Sequence, residues 1–434
     1  MIFIKKNDYN RLLKKLANLQ LAIGLLFIIG VLIAIGTVIE QDQTLTFYKD
    51  NYPETNSMFG FFTWRWIINL GLDHLYSSVW FLTILGLFSL SLLACSFTTQ
   101  VPSLKKFRLW QFLNKFEQLE RLPIFNHLNR TATNIAAYRI YDNDYHLFRQ
   151  GRKNYAYSGL LGRVGPIIVH FSIMALIVGS SWGALSGYNI QEIAPRGEIL
   201  HLQNIVRYGQ FSKLSANTIL RINDFWITYT SESKINQFYS DISLLNNNGS
   251  EIIRKTIFVN EPLQIDGLTI YQTDWDLVGL KISLNSSKDV QIPLQKITKV
   301  GRKFWLGSIK IDNTSSQTFT ILCNDLNGEV YLYNKQGLLV QKLSIGENAQ
   351  IDSFNTVSVK SFITSTGLQI KEDPGLITVY TSFLLLMLSI YISFFSYSQI
   401  WGVEQLKRFT VAGKSNRAVL SFQENFKRNF SLMK

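Results

Sequence analysis

The chain has 434 residues and carries 43 Lys and Arg against 30 Asp and Glu, a net charge of +13. That excess is not gathered in any basic soluble domain, so nucleic-acid binding is excluded as the reason for it. The two cysteines, Cys95 and Cys323, are far apart and form no CxxC; this excludes thiol-pair chemistry and a zinc site, and leaves them as two small buried apolar residues.

In chain order, the apolar residues clump into four runs, each long enough to cross a hydrocarbon core, which takes roughly 20 residues of helix. After a basic tail at 1–18 come the first run, 19–39, a short loop, 40–74, and the second run, 75–97. A middle loop, 98–163, leads to the third run, 164–185; a long segment, 186–375, leads to the fourth, 376–397; and a basic tail, 398–434, follows. One such run alone could be a buried core helix. Four together read as transmembrane helices. The first is too long for a signal peptide and is followed by Glu40-Gln41-Asp42 rather than a small-residue cleavage site.

Charge sets the expected orientation. Residues 1–18 carry five basic and one acidic residue, 98–162 ten and four, and 398–434 seven and two. The loop 40–74 carries two basic and five acidic residues, and 186–375 carries eighteen of each. The positive-inside rule puts the two tails and the middle loop on the cytoplasm-like side, and the short loop and the long segment outside, in periplasm or lumen. Four spans return both tails to one side, as this requires.

In the middle loop, Leu104, Phe107, Trp110, Leu113 and Phe116 recur every three residues among Lys and Arg. This reads as one amphipathic helix over 104–122 on the inner membrane face, with a juxtamembrane linker as the alternative. The segment 186–375 reads as β: stretches such as 218–230 (TILRINDFWITYT) and 255–259 (KTIFV) are rich in β-branched and aromatic residues. Turn signals such as Asn246-Asn247-Asn248-Gly249-Ser250, Asp266-Gly267 and Asn327-Gly328 punctuate them. We expect roughly 10 to 14 strands in one antiparallel sandwich or barrel-like domain. The fold class is therefore an integral membrane α-helical protein with four transmembrane helices and one large β-rich extramembrane domain.

Five histidines exist, and His170 stands inside the third run. An ionisable side chain there is costly and marks a functional site by default; the alternative is a histidine hydrogen-bonded to a neighbouring helix. Counted from the inner side it lies about 10 Å deep, and as a neutral imidazole it can ligate iron. Arg163, seven residues earlier, is on nearly the same helix face. It could meet the propionates of a heme held by His170, or simply snorkel to the interface. His74, beside Asp73 and after Trp64-Arg65-Trp66, is a second candidate heme or metal contact, or else a histidine of the interfacial aromatic belt. No phosphate-binding glycine loop, HExxH, CxxCH or nucleophile triad is recognisable, which leaves few tools for covalent catalysis by this chain alone.

These motifs converge. The stretch 61–102, the stretch 162–183 with its membrane histidine, Phe238-Tyr239-Ser240-Asp241, Val259-Asn260-Glu261-Pro262-Leu263 and Tyr271-Gln272-Thr273-Asp274-Trp275 resemble CcsB/ResB proteins of cyanobacterial and plastid type. So do Asp373-Pro374-Gly375, Gln399-Ile400-Trp401 and Gly413-Lys414-Ser415-Asn416-Arg417-Ala418, in the right order over nearly the whole chain.

The resemblance implies a role in the System II route of c-type cytochrome maturation. In it the chain would pair with CcsA to deliver heme b, transiently held, to apocytochromes c (cytochrome f and a soluble c-type cytochrome). The two together would form a heme-lyase complex in which this subunit does not act alone. The family's membrane histidine falls on His170, and an acidic residue of the outer domain, Asp274, is a further candidate. Attachment needs reduced heme and free cysteine thiols, and the chain supplies no thiol pair, so a separate thiol-reducing partner is implied. A purely structural scaffold for CcsA is the alternative; a membrane sensor would need an inner signalling domain larger than 98–162. Heavy use of Phe, Tyr, Ile, Asn and Lys, with a start (MIFIKK) unlike a transit peptide, fits plastid encoding and a thylakoid location with the large domain in the lumen. A cyanobacterial thylakoid is the other source.

Overall fold

The computed structural model describes residues 6–54, 63–113, 115–129, 133–214, 219–231, 234–284, 288–299, 302–310, 318–350, 356–405 and 408–430. The chain divides into two compact units, one combining residues 1–182 with 375–434 and the other spanning 183–374.

The first unit holds four helices long and apolar enough to cross a membrane: Leu19–Val38, Val79–Lys106, Leu161–Ser186 and Leu376–Ser393. The second starts at Val79 rather than 75, because Leu72–Ser77 is a separate 3₁₀ turn entered through Gly71 at φ 65°. Helices one, two and three pack through Leu25, Ile29, Phe88, Leu92, Ile173 and Ile177. Helices three and four meet through glycine. A Cβ on Gly165 would fall 2.8 Å from Ser393 Cα, and one on Gly179 would fall 3.0 Å from Thr378 Cβ. Small residues permit this close approach where lipid offers no hydrophobic drive for helix association. We expect Gly165→Val to part the two helices at a cost of about 1–3 kcal/mol or more, seen as an earlier thermal aggregation midpoint in detergent. Gly86→Ala, with no atom within 4 Å of the new methyl, should leave that midpoint unmoved.

The loop after the first helix is a compact cap around Tyr48, Tyr52, Ile67, Leu72 and Leu75. Gln41 clamps it. Its Nε2 donates to the carbonyls of Gly36 (3.1 Å), Ile39 (2.8 Å) and Leu72 (2.9 Å), and its Oε1 accepts from Leu75 N–H at 3.0 Å.

The middle loop and the C-terminal tail are not loose basic segments. Together they build a five-stranded antiparallel sheet in the order Ile124–Asn129, Arg408–Ser415, Ser398–Glu404, Lys153–Ser158, His146–Gln150. Helices Thr133–Asp142 and Val419–Phe430 cover one face, where Phe422, Phe426 and Phe430 join Ala136, Ile140, Ile400 and Val411. The other face buries Tyr155, Trp401 and Ala412 under Phe112, Leu113 and Leu119.

This sheet corrects the expected amphipathic helix at 104–122. The chain is helical over Val101–Arg108, leaves the helix at Leu109, and is helical again only over Phe116–Glu120. Trp110 stacks on Phe148 with centroids 4.5 Å apart, and Trp401 Nε1 donates to Gln111 O at 2.7 Å. Of the side chains that suggested a membrane-facing stripe, Trp110, Leu113 and Phe116 thus meet residues of the sheet instead.

The second unit is β throughout and antiparallel, with seven-, five- and four-stranded sheets, more strands than expected. It is not one sandwich. Two 17-residue strands, Leu268–Leu284 and Thr356–Glu372, pair along their length as a spine. One end of the spine packs its Ile270, Leu368 and Ile370 with Leu220, Ile222, Ile242 and Ile257 of the four-stranded sheet. The other end packs Leu280, Ile282 and Val359 with Trp305, Ile321 and Leu332 of the five-stranded sheet. Bulges between Gln272 and Asp274 and between Leu277 and Gly279 bend the spine between its two cores. The segment read as 218–230 forms the strand Ile219–Tyr229, Thr218 lying outside the described residues. Burial pushes the Cys323 thiol up to about 12, so it stays protonated and unreactive near neutral pH.

Candidate membrane histidine site

The site is made by an irregularity in the second long helix. After Cys95 the helix widens into a π turn over Ser96–Gln100, in which Val101 N–H bonds the carbonyl of Ser96, five residues back. The cause is local: Pro102 has no N–H for the carbonyl of Thr98, and its ring crowds that carbonyl. Such one-turn π segments are frequent at functional sites. Here the turn directs Ser96 and Gln100, four residues apart, toward the third helix, where they meet His170.

Polar side chains of the second helix surround the imidazole. The Ser96 hydroxyl has one proton, which it donates to Leu92 O at 2.9 Å. Its oxygen lies 3.1 Å from His170 Nδ1. A neutral imidazole keeps one nitrogen with a lone pair. Gln100 Nε2 lies 3.3 Å from Nδ1 and 3.2 Å from Nε2. Near-equal distances to the nitrogens on either side of one ring carbon place the amide over the face of the imidazole, not in its plane. Gln100 Oε1 is buried and has no hydrogen-bond partner. Among the described residues no three His, Cys, Asp or Glu side chains cluster to hold a bare metal ion. A single neutral imidazole can offer one nitrogen to a metal.

The other candidates lie elsewhere. The Arg163 guanidinium sits over the Tyr397 ring at 5.1 Å, so the structure gives it an aromatic partner at the sheet-side end of its helix. His74 is half-exposed, with Nδ1 2.9 Å from Asp73 Oδ1. The 17-residue helix Val79–Cys95 separates it from the Ser96 turn by about 25 Å of axis, so His74 and His170 do not share a site. Asp274 belongs to the β unit and is exposed at the spine bulge, with Oδ1 accepting from Trp275 N–H at 2.8 Å.

Several residues of the sequence motifs have structural tasks. Ser240, Gln272 and Thr366 form a buried hydrogen-bonded trio. Arg254 Nε donates to both carboxylate oxygens of Asp241, at 3.1 and 3.0 Å. Tyr397 N–H donates to Asn416 Oδ1 at 2.8 Å, closing the hairpin of Ser398–Glu404 and Arg408–Ser415. Of the stretch 61–102, residues 61 and 62 lie outside the described residues.

The ResB-like family model matches residues 19–341 and 299–427. The chain belongs to the ResB-like family. It is 56% identical to the cytochrome c biogenesis protein Ccs1 of Emiliania huxleyi over 429 residues, 99% of this chain and 98% of that one. It is 43% identical to Ccs1 of Porphyra purpurea over 97% of this chain and 96% of that one. With CcsB of a Picosynechococcus species it shares 40% identity over 95% of this chain and 89% of the relative. Within this ResB-like chain, Ser96 and Gln100 were not singled out from sequence. The readable signal was Pro102 just past an apolar run, preceded by polar residues at helical spacing.

Proposed function

We propose that this chain is a membrane subunit for biogenesis of c-type cytochromes, acting with CcsA at the step where heme is delivered and covalently attached. The relatives named for cytochrome c biogenesis support the process. The observation that carries the step is His170, a half-buried imidazole inside the helix bundle with the Ser96 hydroxyl 3.1 Å from its Nδ1. A lone histidine is too little for a bare ion, but a porphyrin brings four nitrogens of its own and asks the chain for one axial ligand. The donor set therefore fits heme as cargo, with a second ligand supplied by CcsA. Bound there, heme would supply the macrocycle whose vinyl groups the apocytochrome cysteines attack. This chain's part is to hold, orient and shield it.

The orientation follows from charge. The segments 1–18, 98–163 and 398–434 carry the basic excess and take the stromal or cytoplasmic side. Hydrogen bonding of 124–129 and 153–158 with 398–415 in one sheet supports this, because paired strands share a side of the membrane. The β unit then faces the lumen of a thylakoid, where it would meet the apocytochrome, and a thiol-reducing protein keeps the cysteines free.

The test is reconstitution in a bacterial host without its own maturation system, using a CxxCH reporter exported to the periplasm. Covalent heme on the reporter should appear only when this chain and CcsA are both present. With both inserted in the membrane, absence of covalent heme would overturn the proposal.

A further inference from the structure

We propose that the segment 205–211 of the β unit is a membrane anchor, with Tyr208 and Phe211 seated in the lipid headgroup layer where the third long helix leaves the bilayer. The segment begins with Ile205–Tyr208, the edge strand of the seven-stranded sheet. The occupant of its apolar surface is lipid. The inference is independent of the heme step and rests only on Leu161–Ser186 crossing the membrane.

Backbone bonding fixes the depth of the segment. Phe211 N–H donates to Leu185 O at 2.8 Å, and Gly209 N–H to Gly187 O at 2.9 Å. Ser212, which is buried, adds its hydroxyl to Gly187 O at 2.6 Å. The approach is so close that a Cβ on Gly209 would fall 2.3 Å from Leu185 O. Leu185 is in the last turn of the helix Leu161–Ser186, so the segment is held at the helix end. Tyr208 lies opposite Tyr188, two residues past that end, and two extended residues span at most about 7 Å. Headgroups add roughly 5–8 Å beyond each edge of the hydrocarbon. Phe211 therefore lies inside that layer, and Tyr208 no farther than its outer edge. The side chains suit the place. Phe211 is 58% exposed and Tyr208 49%, with Ile205 and Val206 also open to the surroundings. One exposed apolar residue needs no explanation, but four within seven on a pinned edge strand mark an interaction surface. Aromatic rings at the end of a membrane helix match the headgroup layer, which is apolar on one side and wet on the other. The Tyr208 hydroxyl donates to Ser212 O at 2.5 Å, which ties the segment to itself and keeps it from folding the rings away.

The test uses the full-length chain alone in nanodiscs of phosphatidylcholine and phosphatidylglycerol. A polarity-sensitive dye is attached at one introduced cysteine: Phe211→Cys, Gln210→Cys, Ser250→Cys or Phe171→Cys. Gln210→Cys keeps both aromatic rings, so it still reports if loss of Phe211 lets the segment detach. The unaltered chain, labelled in parallel, gives the background from Cys95 and Cys323. At 210 and 211 the dye should emit at shorter wavelength than at Ser250, an exposed turn position, and should lose intensity to lipids carrying a doxyl quencher near the headgroup. At Phe171, exposed along the helix itself, it should lose intensity to lipids with the quencher deep in the acyl chain. Lipid quenching at either 210 or 211 supports the anchor. Water-like emission at both would overturn it, as would a blue shift without lipid quenching. A blue shift that appears only after CcsA is added would also overturn it, and would make the surface a protein contact. Absence of deep quenching at 171 would instead sink the membrane reading of the helix.

Discussion

Replacing His170 with Ala is expected to strip the reduced-heme absorption bands from the chain co-purified with CcsA, at equal yield of the complex. The physical case is that the ring is presented rather than packed. Its Nδ1 lies 3.1 Å from the Ser96 hydroxyl, the Gln100 amide lies over the ring face, and the ring is only half-buried. Losing an outer-shell partner of a metal ligand costs about 10–100-fold in affinity, and losing the ligand itself should cost on the order of 100-fold or more. The variant also leaves the Ser96 oxygen and the Gln100 amide without the ring. That is a penalty of about 1–3 kcal/mol in a buried setting, which is why the spectra must be compared at matched complex yield. The helix contacts made by Ile173 and Ile177 are untouched, so assembly should survive. An unchanged spectrum would move the heme contacts wholly to CcsA and leave this chain as its scaffold.

The largest loss of stability is expected from Trp305→Ala in the β unit. Trp305 is 2% exposed at the centre of one core. Its indole lies 5.1 Å from that of Trp275, and its Nε1–H donates to Asp276 Oδ1 at 2.6 Å. Truncation removes the aromatic volume from between the spine and the five-stranded sheet, a loss of about 3–5 kcal/mol. It also takes one donor from Asp276, although Leu277 N–H at 2.9 Å remains. Against a typical total of about 5–15 kcal/mol, this should bring the domain close to unfolding under mild urea. Proteolysis of the full chain across a urea series should show cleavage within 183–374 at a much lower midpoint. Trp305→Phe, which keeps most of the volume and loses the hydrogen bond, should shift that midpoint by only about 1 kcal/mol. Equal effects of Ala and Phe would mean that the hydrogen bond, not the packing, carries the residue's contribution.

Part of this protein was legible in its sequence because the causes are local. The long apolar runs around Ile29, Phe88, Ile173 and Leu386 need no partner to be recognised, since length and hydropathy alone state what solvent they suit. His170 was equally visible, because a titratable group inside such a run is costly whatever surrounds it. The β character of 186–375 showed in its β-branched stretches and turn residues.

Tertiary structure alone decided the rest. Ile124 pairs with Gly413, and Ser158 with Ser398. No periodicity within either segment reports a partner more than two hundred residues away, so Trp110 and Leu113 looked like a membrane-facing stripe instead of the cover of a sheet. The division of the β unit into two cores depends on bulges at Gln272 and Leu277, which change which face of a long strand is buried without changing its composition. The polar neighbours of His170, Ser96 and Gln100, come from a different helix, brought within 3.1 to 3.3 Å of the ring by packing. Sequence determines what each segment must bury or expose, because hydropathy and covalent geometry belong to the segment itself. Which surface does the burying, and which donor meets which lone pair, belongs to pairs of segments and exists only once the chain has folded.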